Sequence, residues 1–83
     1  MTKKEFLSTD EPLVMIVSLD PASGKVLWDT YKPEHADGWM ADIKKDFPKM
    51  MHFRTANPAA LRQRNTAMFG KEFADGVDYS GGN

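Results

Sequence analysis

Leu13 to Leu19 form a run of seven residues that is apolar throughout except for Ser18, with β-branched Val14, Ile16 and Val17 among them. Apolar side chains at consecutive positions suit a strand buried on both faces, and so a central one. Asp20-Pro21-Ala22-Ser23-Gly24 follows with turn chemistry: Pro21 presets its φ, and Gly24 accepts a positive one. From Val26 to Tyr31 the chain alternates, with Val26, Trp28 and Thr30 on one face and Leu27, Asp29 and Tyr31 on the other. The two runs predict a β-hairpin.

The period then changes. Pro33 suits the first turn of a helix, and Glu34 and Asp37 favour its positive end. Ala36, Trp39, Met40, Ile43 and Phe47 fall within an arc of about 100°, the width of a core-facing stripe. Pro48 ends this helix by restricting Phe47, and Gly38 weakens its first turn enough to allow a start at Asp37. Met50 to Thr55 predicts a short strand, with Met51, Phe53 and Thr55 on one face and Met50, His52 and Arg54 on the other. That alternation assigns Phe53 to the core. Asn57 caps, Pro58 opens and Gly70 closes a second helix over Ala59 to Phe69. Its stripe of Leu61, Met68 and Phe69 is faint.

The predicted fold class is α+β, a small single domain in the order β-β-α-β-α. A right-handed crossover places the third strand beside the first, giving a three-stranded antiparallel sheet of order 2-1-3 with one or two packed helices. Residues 1–12 read as a flexible N-terminal arm, 13–71 as the compact domain, and 72–83 as an acidic and aromatic tail with little regular structure. The first helix covers one sheet face. The other must be covered by the weak second helix or by another molecule. There is no internal repeat and no low-complexity tract.

Eighty-three residues lie near the lower limit at which one hydrophobic core suffices, where small domains recruit disulfides, metals or a second subunit. The absence of Cys removes disulfides and thiolate metal sites and leaves association as the natural source of further burial. The apolar run is far shorter than the roughly 20 residues of a membrane span. Glu5, Asp10 and Glu11 stand where the basic region of a signal peptide belongs, and no small-x-small cleavage pattern follows. The expectation is a cytoplasmic protein that does not engage a membrane.

Charge is sorted into blocks. Residues 1–42 carry a net charge of −4, residues 43–71 of +6 and residues 72–83 of −3, within a total of −1. The basic block holds Lys44, Lys45, Lys49, Arg54, Arg62, Arg64 and Lys71, a set able to neutralise phosphates. Its ordinary role is a solvated face opposite the acids, and the overall charge is unlike that of a dedicated nucleic-acid binder. Glu34, Asp37, Asp42 and Asp46 along the first helix read as its solubilising outer side.

Nothing in the chain reads as a catalytic site. His35 and His52, without Cys, make a poor ligand set for zinc, and no metal or cofactor is expected. Ser18, Ser23 and Thr55 lack a recognisable nucleophile context. Ser23-Gly24-Lys25 lacks the first Gly of a phosphate loop and precedes a strand rather than a helix. Trp28 and Tyr31 lie on opposite sheet faces, so one of them faces the less-covered side. Together with Phe73 and Tyr79 of the tail they are the candidate partner-binding residues, aromatic side chains being enriched as interface anchors.

The leading expectation is a small non-enzymatic interaction protein, a modulator or inhibitor of a larger, nucleic-acid-handling machine, acting by protein–protein contact. Such a role suits a viral or mobile-element accessory protein. The alternatives are a nucleic-acid-binding module using residues 43–71 and a self-assembling structural subunit. A protein partner or a homo-oligomer is thus expected, with nucleic acid as the rival.

Overall fold

A computed structural model describes residues 1–79. Its elements are α1 (Lys3–Ser8), β1 (Val14–Leu19), β2 (Val26–Tyr31), α2 (Pro33–Asp46), β3 (Met51–Ala56), α3 (Pro58–Phe69) and α4 (Lys71–Asp75). The three strands form one antiparallel sheet in the order β2-β1-β3, and the fold is α+β as the sequence predicts. The chain divides into a sheet unit, Val14–Thr55, and a terminal unit, Met1–Leu13 with Ala56–Asn83.

In the sheet unit β1 pairs with β2 from Val14 opposite Tyr31 to Leu19 opposite Val26. The turn between them is built by Asp20, whose carboxylate accepts from the Ala22 N–H at 3.0 Å and from the Ser23 hydroxyl at 2.9 Å. Gly24 takes a φ of 74°, where a side chain would be strained. The Ala22 N–H, followed by the Ser23 hydroxyl, holds the Asp20 carboxyl below the ordinary aspartate value. Helix α2 starts at Pro33 rather than Asp37, so Gly38 is accommodated inside it. It packs against β1, with Ala36 buried and Met40 and Ile43 half-buried. Trp39 and Phe47, at the ends of the same stripe, are exposed.

The terminal unit differs from expectation at both ends. Residues 3–8 are helical, where their polarity predicts an arm without regular structure. The reason is a capping box: the Glu5 N–H donates to Thr2 Oγ1 at 3.1 Å, and the Thr2 N–H donates to Glu5 Oε1 at 3.3 Å, satisfying two otherwise unpaired donors. Phe6 is then buried. At the other end Lys71–Asp75 is a short helix rather than irregular chain. It is set off from α3 by Gly70 at φ 96° and joined to it by the Phe69 and Phe73 rings, 4.9 Å apart.

Asn57 joins these pieces. Its side chain is fully buried, and each of its four hydrogen-bonding positions is used. Oδ1 accepts from the Ala60 N–H at 2.8 Å, capping α3, and from the Leu13 N–H at 3.0 Å. Nδ2 donates to the Glu11 carbonyl at 2.8 Å and the Phe6 carbonyl at 3.1 Å. Among the described residues no helix is long and apolar enough to cross a membrane.

Two predictions follow from these polar contacts. Asn57→Ala removes a cap and strands buried backbone groups, so urea unfolding should show a loss of about 2–4 kcal/mol. Asp20 has a depressed folded-state pKa, so its contribution is complete above the ordinary value of 3.8 and lost as pH falls through the lower folded value. Thermal melts of the wild type should therefore weaken below that pH, and Asp20→Asn should flatten part of the slope.

Candidate functional site

Two sides of the sheet offer different chemistry. Under α2 lies an open cleft of about 240 Å³, lined by Ile16, Ser18, Leu27, Trp28, Asp29, Tyr31, Ile43, Phe47 and Met50. Most of these are the members of β1 and β2 whose parity points towards α2. At one end Tyr31 meets Trp39 of α2, ring centroids 5.3 Å apart. Burial in this setting raises the Tyr31 phenol above its ordinary value, and the Asp29 carboxylate adds to the effect. The Arg54 guanidinium on β3 pairs with Asp37 of α2.

The sequence gives Ser18 and His52 no common role, yet β1–β3 pairing places the Ser18 hydroxyl 2.7 Å from His52 Nδ1. His52 Nε2 lies 2.9 Å from the Phe47 carbonyl. A carbonyl only accepts, so Nε2 carries the proton in neutral His52, and Nδ1 accepts from the serine hydroxyl. That resembles a nucleophile and its base. Two features favour a structural reading instead. Ser18 is 8% exposed, and it sits within a strand flanked by ladders on both sides, where backbone N–H groups are committed to sheet pairing rather than to an oxyanion. The imidazole thus satisfies a buried hydroxyl and ties β1 to the turn before β3. Among the described residues no three His, Cys, Asp or Glu side chains converge to hold a metal.

The opposite face of the sheet carries the larger signal. The β1–β2 register puts Trp28 beside Val17, Val26 beside Leu19 and Thr30 beside Met15. The Ser18–His52 contact sets β3 so that Phe53 flanks Val17 from the other side, with Met51 beside Leu19 and Thr55 beside Met15. None of these nine side chains is charged. Trp28 is 43% exposed and Phe53 51%, with Val26 and Met51 open to a similar degree. Phe53 is therefore not the core residue that its alternation predicts: it lies on the expected face, but no element of the sheet unit covers it. The alternation of Met51, Phe53 and Thr55 was the signal for this surface.

The other candidate residues are dispersed. Trp28 has the parity of the open face and also borders the cleft, to which Tyr31 contributes from the α2 side of the sheet. Phe73 is exposed on α4. Tyr79 is buried, its hydroxyl donating to the Ala74 carbonyl at 3.0 Å and accepting from Asn65 Nδ2 at 3.0 Å. Arg62 stacks 5.2 Å over the Tyr79 ring and reaches Asp75 at 3.4 Å. Tyr79 thus anchors the terminal unit, and the rest of the tail, residues 80–83, lies outside the described residues. The basic block is split, with Lys44, Lys45, Lys49 and Arg54 in the sheet unit and Arg62, Arg64 and Lys71 in the terminal unit. Arg54 and Arg62 are in ion pairs.

No protein-family model, curated protein or solved structure matches the chain.

The structural reading of Ser18 is open to measurement. Ser18→Ala leaves His52 Nδ1 without its donor and should cost about 1 kcal/mol in urea unfolding. Wild type and variant should show the same background rate on an activated ester, and a serine-dependent rate would contradict the assignment.

Proposed function

We propose that this chain is a small, non-enzymatic cytoplasmic interaction protein, which acts by protein–protein contact through the open face of its sheet. The observation that supports this reading is the uncharged row Trp28–Val17–Phe53, flanked by Val26, Leu19 and Met51. Depletion of charge with enrichment of aromatic residues and Met marks the centre of protein interfaces. The largest contiguous apolar patch on a monomer is also often its functional surface.

The nucleic-acid alternative draws less support. Two of its seven basic residues are occupied by Asp37 and Asp75.

Photocrosslinking tests the proposal in cells that express the full chain. A benzophenone side chain at position 28 or 53 should give protein adducts on irradiation, and one at exposed His35 on α2 should give far fewer. Equal adducts at all three positions, or none at 28 and 53, would overturn the reading. Salt-sensitive binding of single-stranded DNA by fluorescence anisotropy, with no adduct at 28 or 53, would transfer the function to the basic block.

A further inference from the structure

The open sheet face has a chemistry that narrows its occupant. It offers Val17 and Leu19 from β1, Val26, Trp28 and Thr30 from β2, and Met51, Phe53 and Thr55 from β3, with Met15 of the same face already buried. A partner of different sequence is normally selected by complementary charges around and within the contact, which fix orientation and exclude competitors. This face carries no charge with which to choose. Set against its own image it meets no like-charge repulsion, and every side chain finds an apolar or hydroxyl neighbour. Two-fold association requires such self-complementarity.

The area is of the right size. Val26, Trp28, Met51 and Phe53 are each about half exposed, which leaves on the order of 100 Å² open on each. With the partly exposed Val17, Leu19, Thr30 and Thr55, the patch comes to roughly 600 Å² a copy, or about 1,200 Å² for a pair, the lower bound of a stable interface. The sheet unit also has a motive. Its buried apolar residues are only Val14, Met15, Ile16 and Ala36, a small core for 42 residues spanning Val14–Thr55. Sheets that pack face to face bury their inner side chains in a layer about 10 Å thick, with the strands of the two sheets some 30° apart. The face here is of that kind, with α2 packed against the opposite one.

We infer that the occupant of the open sheet face is a second copy of the chain, and that two sheets pack face to face with the Trp28–Val17–Phe53 row at the centre of the contact. The inference rests on the interaction reading above and supplies its partner. In the dimer each copy keeps α2 on the outside of its sheet, and Trp28, Met51 and Phe53 become interior.

Sedimentation velocity on the full chain, from low micromolar to several hundred micromolar, should show a species of twice the 9.4 kDa chain mass. Trp28→Glu combined with Phe53→Glu should give a monomer at every concentration, whereas Met68→Glu, an exposed apolar position of α3, should leave the dimer intact. A wild-type monomer throughout, or a dimer broken by Met68→Glu and untouched by the sheet-face pair, would overturn the inference. If the double variant fails to fold, a Trp39→Phe background leaves Trp28 as the sole tryptophan. Its acrylamide quenching should then fall at least twofold on going from dilute to concentrated protein, and constant quenching would be equally fatal. A monomeric wild type that still crosslinks at positions 28 and 53 to other proteins would refute self-association alone and leave the interaction function standing.

Discussion

The constraint on which the sheet depends is that β1 is apolar at nearly every position. A strand flanked on both edges by hydrogen-bonded neighbours and apolar on both faces needs a cover above and below, because each exposed side chain forgoes transfer free energy of about 25 cal/mol per Å². Helix α2 supplies the upper cover through Ala36, Met40 and Ile43. The lower face has no counterpart within the sheet unit. The residues left open by that asymmetry are those that β2 and β3 add beside the apolar side chains of β1.

The two faces are consequently specialised. On the α2 side polar groups are admitted in pairs: Ser18 with His52, and Arg54 with Asp37. The first pair satisfies a hydroxyl that burial would otherwise leave without a partner, and the second is an exposed surface pair. No buried side-chain polar atom lacks a partner among the described residues. The open face holds only the hydroxyls of Thr30 and Thr55, at one end of the patch. The polar budget of the sheet is therefore concentrated on the side that is already covered, and the side free to meet another surface is nearly pure hydrocarbon and aromatic ring.

Much of this was legible in the sequence because it depends on period and turn chemistry. The hairpin, the central position of β1 and the 2-1-3 order follow from a both-faces-apolar run, an Asp-Pro-Ala-Ser-Gly turn and the handedness of one crossover. The need for a second cover was legible too. What escaped depends on contacts remote in the chain. Phe53 alternates as a core residue does, and only the packing tells that no layer lies over it. Ser18 and His52 are 34 positions apart, and nothing local in either predicts the other. Helix α1 differs in kind: Thr2-Lys3-Lys4-Glu5 is a readable capping box, but the segment is polar and has no apolar period to mark a helix. Tyr79 has no local signal of burial, which follows from Asn65, Arg62 and Ala74 being arranged around it by α3 and α4.

The position of Asn57 bears on the order in which the chain acquires structure. The sheet unit is one continuous stretch, so its hairpin and helix can form as they are synthesised. The terminal unit is assembled from the two ends of the chain, and the amide that holds them bonds to Phe6, Glu11 and Leu13 across 51, 46 and 44 positions. Such distant closures are entropically slow unless the intervening chain has already been shortened by folding. The amino-terminal helix is therefore made first and docked last, kept waiting until the sheet has drawn position 57 back to it. The burial of Phe6 is thereby tied to the closure of the longest loop that Asn57 spans.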